Sequence, residues 1–220
     1  MPLRPRTQTL LSRREFGALI LALGVAPLRA ADAQRPLDIQ VDLDGFGDVN
    51  AADVCAVTLS AAGEIWKYCP NTRFEEPGFK IYHRQDVPIT DYKHTADGRI
   101  AIGLATEGRT WARMAFQFAH EFCHALAGHS NNWQSLVRNS GANMWFEESL
   151  CETASLFSLR AMGVDWETAP PYPNWRDYAR RLTSYAQDRI EAPDHQLPTG
   201  VAFQSWFRQH HLEMRKSPAL

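Results

Sequence analysis

The stretch WARMAFQFAHEFCHALA, residues 111–127, decides how this chain is expected to fold. Its apolar side chains recur every three or four residues, which is the spacing of one face of an amphipathic helix. This stripe consists of Trp111, Met114, Ala115, Phe118, Ala119, Phe122, Ala125 and Leu126. Gly128 follows as a helix stop. The pattern predicts a helix over 111–127 that buries one continuous face against the rest of the domain.

The other face of this helix carries an H-E-x-x-H motif, formed by His120, Glu121 and His124. Residues four apart lie about 40° apart around a helix and one turn along it, so both imidazoles can reach one metal ion. Glu121 lies where its carboxylate can hold a water, and zinc suits such a site because it keeps an open position. The alternative is an ordinary solvated face. His129 is not expected to be a ligand, because metzincin spacing requires histidine at position 130, which is Ser130.

A second segment, NMWFEESLCETASLFSLR at 143–160, is expected to supply the remaining ligand from a helix over 145–161. In helical projection Glu148 and Glu152 share a face with Trp145, Leu156 and Leu159. Glu147 is predicted to point away, toward a polar side that also carries Ser158. Two carboxylates on a partly apolar face need a partner, either a cation or ligating histidines. The alternative is a helix with a few exposed acids.

The pair HEFCH and WFEESLCE resembles the gluzincin metallopeptidases, which include thermolysin, over about residues 99–161. The resemblance implies a zincin-like fold, a Zn²⁺ ion and hydrolysis of peptide bonds. It makes Glu148 the third zinc ligand, Glu121 the general base and acid, and Glu152 the acid that orients a ligating histidine. Three features differ from the family: Glu147 replaces an asparagine, the interval from His124 to Glu148 is longer, and no G-x-M-E-N segment supports an aminopeptidase mode.

The resemblance also implies that a tyrosine or histidine of the C-terminal half steadies the oxyanion, since such sites need a donor aimed at the developing charge. The available residues are Tyr172, Tyr178, Tyr185 and His195. Spacing does not select among them, and Tyr178 is taken as the candidate donor.

Around the central helix the sequence predicts an α+β domain at 34–220, with a strand-bearing lobe at 34–107 and a mainly helical lobe at 108–220. Alternating or apolar runs at 38–46, 78–87 and 98–106 predict strands, and 51–69 predicts an amphipathic helix. The third strand has one bulky face and one face of alanine and glycine, which favours a position at the sheet edge.

Residues 1–33 have the order of features of an export signal, with Arg13 and Arg14 before a short apolar run and a small-x-small cleavage site at 31–33. The paired arginines resemble the Tat signal, so a periplasmic or secreted product is expected. Removing five arginines and two acids with this segment changes the net charge from −2 to −5. No basic patch favours nucleic acid, and no segment of the mature chain reaches membrane-spanning length. The expected partner is a peptide or protein substrate.

The four cysteines are too sparse for a disulfide scaffold, and Cys123 and Cys151 are expected to remain free thiols. The segment from Asp42 to Asp53 partly mimics a calcium loop, but Phe46 stands at a ligand position, so a polar turn between strand and helix is favoured. The rival function is a non-catalytic exported module that binds metal.

Overall fold

The four strands and five helices of the described chain confirm the predicted α+β class. The computed structural model describes residues 36–128 and 144–216, apart from 73, 75 and 92. Strands β1 to β4 cover Ile39–Val41, Phe79–His83, Ile89–Thr90 and Ile100–Leu104. Helices α1 to α5 cover Ala51–Trp66, Trp111–Gly128, Met144–Asp165, Ala179–Glu191 and Phe203–Met214. Short 3₁₀ turns cover Pro173–Tyr178 and Pro193–His195.

The sheet has the order β1-β2-β4-β3, with β1, β2 and β4 parallel and β3 antiparallel to β4. The expectation that the third predicted strand lies at the edge is wrong. This strand is β4, and every one of its residues is buried because β2 and β3 flank it. Its bare face is covered within the sheet, since a Cβ at Gly103 would lie 2.8 Å from Tyr82. The two edges are β1 and β3, and the sequence did not indicate β3, which is only two residues long.

Helix α1 follows the segment that mimics a calcium loop. The Asn50 side chain accepts a hydrogen bond from the Asp53 backbone N–H at 2.8 Å, which caps the helix. Asp42, at the start of the segment, pairs with Lys80 of the neighbouring strand at 3.1 Å. The segment therefore acts as a turn that joins β1 to α1.

Helix α2 packs as its sequence predicts. Seven of the eight residues of its apolar stripe are buried, and Leu126 is partly buried. The Phe122 ring lies 5.4 Å from Phe79 of β2, so the stripe faces the sheet. Burial of such aromatic side chains contributes about 1.5–3 kcal/mol each, which fixes the rotation of the helix and hence the direction of its histidines.

Helix α3 buries a face that looks polar in the sequence. Ser158 is completely buried and donates to the Ala61 carbonyl of α1 at 2.9 Å, while Ser155 donates to Cys151 within its own helix. Because these hydroxyls are satisfied, the serines occupy the core at little cost. The prediction that the Ser158 side of this helix is its polar side is therefore wrong.

Among the described helices, none combines the length and the apolar composition that a membrane span requires.

Candidate metal centre

The two histidines of α2 present their ring nitrogens to the same point. His120 Nε2 and His124 Nε2 lie 3.1 Å apart, and the side chains are only 17% and 11% exposed. This proximity follows from their spacing of one helical turn on the face opposite the apolar stripe. Two partly buried nitrogens at this distance need a shared proton or a cation between them.

Helix α3 adds the carboxylate of Glu148 to this pair. Glu148 Oε2 lies 3.1 Å from His120 Nε2 and 3.5 Å from His124 Nε2. The three atoms therefore form a nearly regular triangle. A tetrahedral zinc ion with bonds of about 2.0–2.1 Å places its ligand atoms about 3.3 Å apart. The donor set and its spacing fit zinc in the described structure.

Cys151 offers a second grouping with the same histidines. Ligand atoms of His120, His124 and Cys151 lie within 4.8 Å of one another. The Glu148 triangle has no side longer than 3.5 Å. A hydrogen bond with Cys123 and burial raise the pKa of Cys151, which disfavours the thiolate that a metal needs. All four cysteines are free thiols, as expected for Cys123 and Cys151.

The far ring nitrogens of both histidines face carboxylates. Glu147 Oε1 lies 2.8 Å from His124 Nδ1, and Glu152 Oε2 lies 3.7 Å from His120 Nδ1. Carboxylates in these positions fix the tautomer and orientation of ligating imidazoles. The structure thus places Glu152 beside a histidine, as expected. The prediction that Glu147 points away is wrong, because the side of α3 that carries it is buried against α1 and α2.

Arg189 of α4 supports Glu152 from the side opposite His120. Its guanidinium donates to Glu152 Oε1 at 2.9 Å, and its Cζ lies 4.3 Å from the centre of the Phe116 ring on α2. No pattern in the sequence selects this arginine. Its position ties α4 to both helices that carry the candidate ligands.

The site favours positive charge strongly. Hydrogen bonds from His120 and His124 lower the pKa of Glu148 to about 2. Burial acts against protonation of His120, but hydrogen bonds with Glu148 and Glu152 outweigh it and raise the pKa to about 9. The pKa of His124 is raised to about 10, because contacts with Glu147 and Glu148 outweigh burial in the same way. Protons and a metal cation therefore compete for the same nitrogens, so metal affinity falls as pH falls.

Glu121 lies next to the triangle and is held by the sheet edge. Glu121 is 5% exposed. The Thr90 hydroxyl of β3 lies 2.9 Å from Glu121 Oε2 and 2.7 Å from the backbone carbonyl oxygen of Glu121. Burial raises the pKa of Glu121 and outweighs the neighbouring histidines, which lower it. The sequence did not point to Thr90, because a strand of two residues shows no alternation.

The candidate oxyanion donor is not at the site. The Tyr178 hydroxyl accepts a hydrogen bond from the Ala112 N–H at 3.2 Å, eight residues before His120 and therefore about 12 Å away along the helix axis. The structure thus places Tyr178 away from the candidate ligands, and its assignment as oxyanion donor has no support from this position. Among the described residues, Tyr172 contacts Trp175, Tyr185 contacts Phe116, and His195 contacts the Arg189 carbonyl.

No family model, curated protein or solved structure matches the chain. The chemistry of the site is therefore judged from its own residues. The predicted export signal at 1–33 and the rejected ligand His129 lie outside the described residues.

Proposed function

We propose that this chain is an exported zinc metallopeptidase of the gluzincin type, with a zincin-like fold. The observation that carries the proposal is the triangle of His120 Nε2, His124 Nε2 and Glu148 Oε2, with sides of 3.1, 3.1 and 3.5 Å. Three protein ligands with one open position characterise catalytic zinc sites, whereas structural sites are closed by four. Export rests on residues 1–33 alone, and recovery of the processed chain outside the cytoplasm tests it.

The roles of the residues follow from their positions. A zinc ion held by the triangle would polarise the substrate carbonyl and make a water molecule more acidic. Glu121 accepts the proton of the attacking water at its carboxylate and passes it to the leaving amine. A buried carboxyl with a raised pKa suits this exchange, because a general base works best when its pKa approaches the working pH. Glu147 and Glu152 hold the two imidazoles in orientation.

The arrangement of elements supports the zincin-like part of the proposal. The helix with both histidines lies against the sheet, the third acid comes from the next helix, and the edge strand β3 contacts the general base. Strand β3 pairs with β4 on one side only, and such an edge strand suits an extended peptide because its other side offers backbone hydrogen bonds.

The direct test is the metal content and peptidase activity of the purified mature chain. We expect one zinc per chain by elemental analysis and hydrolysis of members of a broad peptide library. Chelation should remove both, and added zinc should restore both, whereas His124→Ala should lack both. A chain that holds zinc but cleaves no peptide would instead favour the non-catalytic metal-binding module.

Thr90 provides a finer prediction about the general base. Thr90→Val should lower kcat/KM for peptide hydrolysis by about 10–100-fold, since a hydrogen bond to a charged group contributes about 1.5–3 kcal/mol. Thr90→Ser keeps the hydroxyl and should stay close to wild type, and zinc content should not change in either variant. Equal losses in both variants would mean that the side chain acts through packing and not through its hydrogen bond.

A further inference from the structure

A groove rich in arginine lies at the N-terminal end of α2, where α4 begins beside it. Its volume is about 400 Å³, and its cationic side chains are Arg109, Arg113 and Arg181. We call it the arginine groove. All three side chains are exposed, and none forms an ion pair with another described residue. Three unpaired guanidiniums in one groove stand out in a chain whose net charge is −2.

The polar groups around these arginines also favour an anion. The Tyr178 hydroxyl accepts from the Ala112 N–H, so its own proton is free to donate into the groove. The first turns of α2 and α4 meet there, and the N-terminus of a helix carries partial positive charge. Asp188 is the one acidic side chain of the lining, which leaves the groove with an excess of two positive charges.

The arginine groove and the metal centre lie along the same face of α2. Arg113 precedes His120 by seven residues, which is two turns, so the two side chains differ by only about 20° in direction and about 10 Å along the axis. Helix α4 runs beside this face, because Tyr185 contacts Phe116 and Arg189 lies over the same ring. On the other side, Gln117 bonds to Ala105 after β4. Helix α4 and the end of β4 therefore flank the face of α2 that carries both sites.

We propose that the arginine groove binds the carboxylate of an acidic residue in the peptide substrate. This inference rests on the proposed peptidase function and names its substrate class. An extended peptide advances about 3.4 Å per residue, so a separation of about 10 Å places the acidic residue about three positions from the cleaved bond. Arginine forks pair with carboxylates in two parallel hydrogen bonds, which gives direction as well as charge. Asp188 opposes a doubly charged phosphate more than a singly charged carboxylate.

The test compares peptides that carry one glutamate at successive positions with counterparts that carry glutamine. Binding is followed by fluorescence anisotropy on the zinc-loaded Glu121→Gln protein, which should bind peptides without cleaving them, and cleavage is followed on the wild-type active site. Arg113→Gln and Arg181→Gln remove groove charges. Arg180→Gln is the matched control, because Arg180 is exposed on the same helix but does not line the groove.

Glutamate about three residues from the cut should tighten binding about tenfold and raise kcat/KM similarly, which corresponds to one charge-assisted contact of about 1.4 kcal/mol. Arg113→Gln and Arg181→Gln should remove this preference while leaving glutamine peptides within about twofold, and Arg180→Gln should keep it. Equal binding of both peptide sets overturns the inference, as does a preference that survives both groove variants or binding of inorganic phosphate alone. Arginine-dependent binding of acidic peptides without any hydrolysis would support the groove and refute the peptidase proposal.

Discussion

Glu121→Gln should leave the zinc content of the protein unchanged and lower peptide hydrolysis by about 100-fold or more. Glu121 is beside the ligand triangle and is hydrogen-bonded to Thr90, but its side chain has no hydrogen bond with His120, His124 or Glu148. Glutamine keeps the size of the side chain and its bond with the Thr90 hydroxyl while it loses the ability to accept a proton. Loss of a positioned general base costs about 10²–10⁴ in rate.

The measurement pairs elemental analysis with kcat/KM on a library-derived peptide, and Glu167→Gln, an exposed position far along the chain, is the control. If zinc is lost together with activity, Glu121 is a ligand or holds the site together. If activity survives, the residue is not the base, and the non-catalytic module becomes the better interpretation for any metal that is found.

Glu148→Ala should abolish stable zinc binding and with it all activity. Its Oε2 is the only carboxylate oxygen within 3.5 Å of the Nε2 atoms of both His120 and His124 in the described structure. Two histidines alone hold zinc far more weakly than three ligands do. The variant also removes a carboxylate that raises the pKa of both imidazoles, so protons compete less for their nitrogens, and the loss of zinc comes from the missing ligand.

Glu147→Ala is the informative companion of that variant. From the sequence we expect it to leave metal content unchanged, but its contact of 2.8 Å with His124 Nδ1 changes this expectation. Loss of a carboxylate that orients a ligating histidine typically costs 10–100-fold in metal affinity or activity. Zinc titrations of both variants should therefore give a graded series. A Glu147→Ala protein that loses zinc while Glu148→Ala retains it would reverse the two roles.

The sequence was sufficient to predict contacts that depend on spacing within one helix or on the facing side of the next long helix. His120 and His124 converge because of their spacing, and the apolar stripe of α2 fixed which way they point. The pairing of Glu148 with these histidines and the nearness of Glu152 were also expected. In each case the relevant neighbours are either one turn apart or on the adjoining face of the next long helix.

Prediction failed where the tertiary environment changes the meaning of a residue. The sequence pattern places Ser158 on a polar face, but its hydroxyl donates to a carbonyl of α1, and Glu147 on the same side of the helix contacts His124. Tyr178 could be placed only once the packing of α4 on the start of α2 was known. Thr90 lies in a strand too short to have a pattern, although its hydroxyl contacts the Glu121 carboxylate directly.

The division of the proposed ligands between α2 and α3 affects how long the protein stays folded. An ion held by His124 and Glu148 joins positions that are 24 residues apart in the chain, so it acts as a removable cross-link. A ligand that binds only the folded state stabilises it by about 4 kcal/mol when present at 1,000 times its dissociation constant. Folded lifetime would then follow zinc supply. Copies that fail to acquire the ion would unfold more often and be degraded first, so metal scarcity would limit the abundance of this protein as well as its activity.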